Sequence, residues 1–136
     1  RLVVVDDSVV RGTTTRAIVQ MLKSSGASEV HLRISSPPYR WPCFYGMDTG
    51  TKSELMAANL TMEEIQEYLG VNSIAYLELD RLVDATGAPG AGFCTACLDG
   101  DYPVEIPVSL NSEVVITQKD ERDGGFVSAV QMGFQE

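Results

Sequence analysis

The densest chemistry in the sequence lies at its start, in Val3-Val4-Val5-Asp6-Asp7-Ser8-Val9-Val10-Arg11-Gly12-Thr13-Thr14. Two carboxylates close an apolar run, and a Gly-Thr-Thr follows across a short polar loop. Carboxylates in that position bind hydroxyl groups or a hard divalent cation. A glycine that opens a helix lets the backbone come close to a ligand. The helix N-terminus then offers free N–H groups and a positive dipole end to an anion. Thr13 and Thr14 add hydroxyl donors. One end of the loop suits a phosphate, and the other suits sugar hydroxyls or a metal-bound diphosphate. A phosphorylated sugar satisfies both ends at once.

A second constellation is made of cysteine. Cys94-Thr-Ala-Cys97 is a C-x-x-C pair behind a glycine-rich connector, and Cys43 lies far upstream in another loop. Such a pair serves zinc, iron–sulfur clusters and redox couples alike. A redox pair usually opens a helix, whereas this one runs into Leu98-Asp-Gly-Asp-Tyr-Pro, which reads as a turn. Adding His31 would complete a zinc-type Cys₃His set. His31 falls inside an alternating strand pattern, however, where a histidine is commonly a packing or surface residue. From the residues alone, zinc, an iron–sulfur cluster and unliganded buried thiols all stay open.

The elements that must position these groups can be read from periodicity. Residues 2–6 predict a buried strand, because the run is continuously apolar, as in parallel sheets covered on both faces. Residues 7–12 predict a loop. From Thr13 to Ser25 a helical period places Ile18, Met21 and Leu22 on one face, and Gly26 is a stop signal. Residues 29–34 alternate and predict a second strand. Strand, helix, strand over this length is a βαβ unit, hence a parallel sheet with a right-handed crossover. The acids then sit at the C-terminal end of a parallel strand, where open α/β sheets bind ligands.

Downstream, 35–50 is loop-like, with prolines and glycines throughout. Helical signals return at 53–58. Thr61 and Glu64 form a capping-box pattern for a helix ending at Leu69, with Gly70 as terminator. A short strand is expected at 73–77, a helix at 80–86 and a flexible connector at 87–92. One domain is expected over 1–107. Residues 108–136 carry few coherent apolar periods and predict a poorly ordered C-terminal extension. No internal repeat is visible.

Composition narrows the classes. The chain has 136 residues, 44% hydrophobic and 21% charged, ordinary for a globular protein with its own core. A net charge of −9 argues against nucleic-acid binding, which needs clustered Lys and Arg. No apolar run nears the roughly 20 residues of a membrane span. Three cysteines cannot close a disulfide set within the chain, so a cytosolic setting is expected. The sequence starts at Arg1 and enters a strand at once, which predicts a piece of a longer polypeptide. Strand-Asp-Asp-Ser also opens the receiver domains of two-component systems. Those need a third Asp ending a later apolar strand and a Lys-Pro step. Asp48 lies instead in a Pro/Gly-rich loop, and no Lys-Pro occurs.

The run from Val3 to Thr14 resembles the phosphoribosylpyrophosphate motif of type I phosphoribosyltransferases. Two further segments resemble those that follow this loop in glutamine phosphoribosylpyrophosphate amidotransferases. They are Ser35-Ser-Pro-Pro-Tyr-Arg-Trp-Pro-Cys43-Phe-Tyr-Gly-Met-Asp48 and Cys94-Thr-Ala-Cys97-Leu-Asp-Gly-Asp-Tyr102-Pro. The resemblance spans Val3 to about Pro107, with Met47 and Leu98 as departures where Ile and an aromatic are usual.

It implies an α/β fold: part of a parallel-sheet type I phosphoribosyltransferase domain with a cysteine-containing C-terminal segment. It implies that Asp6 and Asp7 contact ribose hydroxyls and Mg²⁺. Ser8, Val10, Arg11, Gly12, Thr13 and Thr14 complete the substrate loop, residues 10–14 wrapping the 5′-phosphate. It also implies that Cys43, Cys94 and Cys97 are three of four ligands of a structural [4Fe–4S] cluster. The implied activity is amidophosphoribosyl transfer. Glutamine-derived ammonia displaces pyrophosphate from phosphoribosylpyrophosphate, the first step of purine synthesis, in a homo-oligomer, a tetramer by resemblance. The glutaminase nucleophile, a pyrophosphate loop, a lid and the fourth cysteine are not in this sequence. The isolated chain is therefore expected to be inactive and unstable. A ligand-binding protein without catalysis, or a cysteine-metal interaction module, are the alternatives.

Overall fold

Three strands with the predicted periods assemble into a parallel sheet of order β1-β2-β3, and β2 lies between the other two. The computed structural model describes residues 1–49, 51–88 and 92–106. The expected extension at 108–136 lies outside them. Every element below belongs to one compact unit, Arg1–Pro103.

Strand β1 (Leu2–Asp6) pairs with β2 (Val30–Ile34) in register Leu2↔Val30 to Asp6↔Ile34. Strand β3 (Ser73–Tyr76) pairs with β2 from His31↔Ser73 to Ile34↔Tyr76. The alternation of β2 is realised as read: Val30, Leu32 and Ile34 are buried, and Arg33 is exposed. His31 is held by its neighbours, with Nδ1 2.9 Å from Ser73 Oγ and Nε2 3.2 Å from Glu29 Oε2. It is a strand-pairing residue, and the Cys₃His set does not form.

Two expectations fail here. β1 is not buried on both faces: Val3 and Val5 are 68% and 72% exposed. Only Val4 of its middle residues packs on the core. The reason is layering, since none of the described residues covers the sheet face that carries Val3 and Val5, where Arg33 of the central strand is exposed too. Helix α1 (Thr13–Ser24) also turns a different stripe inward. Thr15 and Val19 are buried and Leu22 packs beside them, while Ile18 and Met21 are exposed. At about 100° per residue, Thr15, Val19 and Leu22 form one narrow stripe, and Met21 stands well around the helix from it.

After β2 the chain runs through a loop, a 3-10 turn (Lys52–Glu54) and two short helices, α2 (Met56–Asn59) and α3 (Met62–Leu69). The capping box forms: Thr61 Oγ1 accepts from Glu64 N–H, and Thr61 N–H donates to the Glu64 carboxylate at 2.7 Å. Replacing Thr61 by Ala removes one acceptor from the frayed end of α3, and a loss of about 1 kcal/mol is expected. Denaturant unfolding of the full-length protein should show a lower midpoint with unchanged slope. An unchanged midpoint would mean that α3 does not depend on its cap.

Helices α4 (Leu79–Ala85) and α5 (Ala96–Asp99) complete the elements. The core unites the β2 side chains with Val9, Val19, Met56, Ile65, Leu69 and Val71. Val9 and Met56 matter most for function, because they anchor the loop after β1 to the layer below it. No helix among the described residues is long and apolar enough to cross a membrane.

Candidate functional site

The loop after β1 closes on a cavity of about 320 Å³ lined by residues 6–15, a volume within the range of small-ligand sites. A larger hollow of about 430 Å³ lies along α3. Its lining includes Glu63 and Glu67, whose charges disfavour an anion, and no Lys or Arg.

Asp6 ends β1 with its carbonyl fixed by Ser35, whose N–H and Oγ donate to it at 3.0 and 3.2 Å. Its carboxylate Oδ1 accepts from Asp7 N–H at 3.0 Å, and Asp7 Oδ1 accepts from Ser8 Oγ at 3.3 Å. Asp7 is exposed at the mouth. At the other end, α1 begins with Gly12 as its N-cap, and no side chain caps it. The first N–H groups of a helix lack intrahelical acceptors, so this terminus is open to an anion. All the predicted loop residues, Asp6, Asp7, Ser8, Val10, Arg11, Gly12, Thr13 and Thr14, therefore line one cavity.

Gly12 has φ +76°, and a Cβ there would meet Met56 Sδ at 2.7 Å, Tyr68 Cε1 at 3.1 Å and Leu69 Cδ2 at 3.3 Å. The glycine is needed on the side of the core, beneath the loop, as much as by any ligand above it. Neighbouring loop residues rest on the same support. Val9 is buried, and Val10 O accepts from Met56 N–H at 2.9 Å. Arg11 Nε donates to Glu54 Oε2 at 2.9 Å, and Arg11 Nη2 donates to the same oxygen and to Asp48 O at 3.2 Å. The Arg11 hydrogen bond holds the Glu54 carboxyl below its ordinary range and raises the guanidinium in turn.

The cysteine segments meet as well. Cys97 O accepts from the N–H groups of Arg40 and Trp41, both at 3.2 Å. Tyr102 donates its hydroxyl to Pro42 O at 2.6 Å and sets its ring against Phe44. Gly100 has φ +80° and lies so close to Trp41 that a Cβ would stand 2.8 Å from the indole. These contacts bring Cys43 toward Cys94 and Cys97. Burial raises the Cys97 thiol, and the charges of Cys43 and Cys94 add to the shift. The Tyr102 phenol rises for the same reasons, burial first and then Cys97 and Cys43. Tyr45 N–H donates to Cys43 Sγ at 3.4 Å, the kind of contact that stabilises a ligating sulfur.

The run from Leu98 to Pro103, expected as a turn, instead begins inside a helix that includes Leu98 and Asp99. Cys97 lies in the one-turn helix α5, ended by Gly100 in the left-handed region. All three cysteines are free, and Cys94 is exposed. Among the described residues, no three His, Cys, Asp or Glu side chains stand close enough together to hold a metal ion on their own.

No family model matches the chain. Curated relatives do. It is 51% identical over 110 residues to an amidophosphoribosyltransferase of Synechococcus elongatus, covering 81% of this chain and 22% of the relative. It is 52% identical over 109 residues to that of Archaeoglobus fulgidus, covering 79% and 24%. A solved glutamine phosphoribosylpyrophosphate amidotransferase from B. subtilis, complexed with ADP and GMP, superposes with TM-score 0.72 at 48% identity. That match covers 79% of this chain and 24% of the other. The chain is homologous to one part of the proteins of the amidophosphoribosyltransferase family. It spans about a quarter or less of the length of these relatives.

Within this family the parallel α/β core is the expected one, and the receiver-domain alternative falls away. Asp48 ends no strand; it lies between β2 and the 3-10 turn, with its carboxylate 3.9 Å from Arg11 Nη2. Sequence reading missed Glu54, the partner of Arg11 at a separation of 43 residues. Nothing in local spacing marks such a pair. It also missed Trp41 and Tyr102 as the residues that seat the cysteine segments, although both lie in the stretches that carry the family resemblance.

Proposed function

We propose that this chain is the phosphoribosylpyrophosphate-binding part of an amidophosphoribosyltransferase of de novo purine synthesis. The observation that carries the reading is the single cavity lined by an acid pair at one end and an uncapped helix N-terminus at the other. The 5′-phosphate takes the backbone N–H groups of Gly12–Thr14 with the hydroxyls of Thr13 and Thr14. Asp6 and Asp7 take the ribose hydroxyls. The phosphate grip is remote from the reacting carbon, so its binding energy serves to position the ribose.

As pyrophosphate leaves and ammonia attacks C1, positive charge develops on the ribosyl ring. Asp6 and Asp7 place negative charge nearby and hold the ring in line. The products are phosphoribosylamine and pyrophosphate, with glutamate from the ammonia donor. A Mg²⁺ ion held by Asp6 and Asp7 would supply charge neutralisation for the leaving diphosphate. The two carboxylates fit this ion, which is commonly held by one or two carboxylates plus substrate oxygens.

Cys43, Cys94 and Cys97 are proposed as three ligands of a [4Fe–4S] cluster with a structural role. Their fit rests on the contact between the two cysteine segments, Cys97 O with the N–H groups of Arg40 and Trp41, and on the N–H donor to Cys43 Sγ. The fourth thiolate comes from elsewhere in the full-length protein. The protein is taken to be cytosolic and homo-oligomeric by family resemblance, and its acidity disfavours nucleic-acid partners.

Two measurements on the anaerobically purified full-length protein test this. Pyrophosphate release from Mg-phosphoribosylpyrophosphate is expected with glutamine and with ammonia, and release with neither nitrogen source removes the enzyme reading. Iron and sulfide content should approach about four each per subunit. Cys43→Ser should lower both strongly, together with the thermal midpoint. Unchanged iron in Cys43→Ser would exclude it as a ligand, and stoichiometric zinc in the wild type would restore the zinc reading.

A further inference from the structure

Arg11 lies at the centre of the phosphate loop, yet its side chain is committed to a segment far along the chain. Nε and Nη2 both donate to Glu54 Oε2, and Nη2 also donates to the Asp48 carbonyl. The same segment supports the residues on either side. Met56 N–H holds Val10 O, and Met56 Sδ lies directly under Gly12. Three successive loop residues thus rest on Asp48, Glu54 and Met56.

We propose that Glu54 is a positioning residue for the phosphoribosyl site, which uses Arg11 as a strut for the loop rather than as a phosphate ligand. The proposal deepens the function argued above and rests on it. The physical grounds are charge and geometry. A guanidinium already engaged through Nε and one Nη cannot present its two-pronged edge on that side to a phosphate. Its charge is also largely balanced by the carboxylate beside it. That carboxylate, left without Arg11, would repel a phosphorylated ligand. Pairing the two gives the loop a fixed backbone and leaves phosphate binding to the N–H groups and hydroxyls of residues 12–14.

A strut and a ligand predict opposite outcomes when Glu54 is removed. A ligand arginine set free by Glu54→Ala would bind phosphate as well or better. A strut without its anchor lets the loop wander. The experiment uses the full-length protein with ammonia as nitrogen source, measuring KM for Mg-phosphoribosylpyrophosphate and kcat separately. Glu54→Ala and Arg11→Ala should each raise KM about fivefold, with kcat within about twofold of wild type. The double variant should be no worse than the poorer single, because both remove one coupling. Glu54→Gln, which keeps the shape and an acceptor, should fall between Glu54→Ala and wild type. It carries the test if the alanine variant does not fold.

An unchanged or lower KM in the Glu54 variants, additive losses in the double, or a loss confined to kcat would each overturn the proposal. Asp7→Asn, run in parallel, separates the two possible failures. Turnover indifferent to Asp7 removes the site reading, whereas an Asp7-dependent enzyme indifferent to Glu54 removes the strut alone.

Discussion

Asp7→Asn in the full-length protein should lower the proposed turnover of phosphoribosylpyrophosphate by about a hundredfold or more, with ammonia and with glutamine alike. The substitution keeps the size and shape of the side chain and removes its charge. Asp7 is exposed at the mouth of the cavity, and its side chain accepts a hydrogen bond from Ser8. Folding draws little on so exposed a group, so the thermal midpoint should stay where it is. On the proposed reaction the charge matters, because a cationic ribosyl centre would form within reach of it. The loss should therefore fall mainly on kcat, and rising Mg²⁺ should recover little of it. Steady-state assays with both nitrogen sources check this. Wild-type rates in the variant, or a loss seen with glutamine only, would place the reaction away from this loop.

Gly12→Val should be the most damaging single change to the loop, by about 3 kcal/mol in stability and with phosphate binding lost. Two causes combine. The backbone at φ +76° is one that a β-branched residue does not adopt without strain. The new side chain would also press into Met56, Tyr68 and Leu69. Met56 can swing its thioether aside, but Leu69 is buried and held. The chain must then lift off its support, and Val10 O loses the N–H of Met56. Gly12→Ala should show the same effects at about half the size. Thermal unfolding and equilibrium binding of Mg-phosphoribosylpyrophosphate measure both. An alanine variant with wild-type stability and affinity would show that the loop tolerates a side chain and that its conformation is not fixed from below.

The sequence by itself determined most local elements and that an acid pair and a helix start share one short loop. The alternation in 29–34 forced a half-covered strand, and Thr61 with Glu64 fixed where α3 begins, because both are effects of near neighbours along the chain. The acid pair and the Gly-Thr-Thr were legible for the same reason: a strand end and a helix start separated by one short loop must face a common space. Tertiary structure decided the rest. Whether β1 is covered on one face or on two depends on which layers pack against the sheet, which its own apolar run does not reveal. Which stripe of α1 turns inward depends on the surface it meets, so Val19 went in and Met21 stayed out. Glu54 met Arg11, and Cys43 approached Cys97, only because the chain returned to the same place after dozens of residues. Local propensity carries no record of such returns; packing and charge pairing settle them once the sheet is formed.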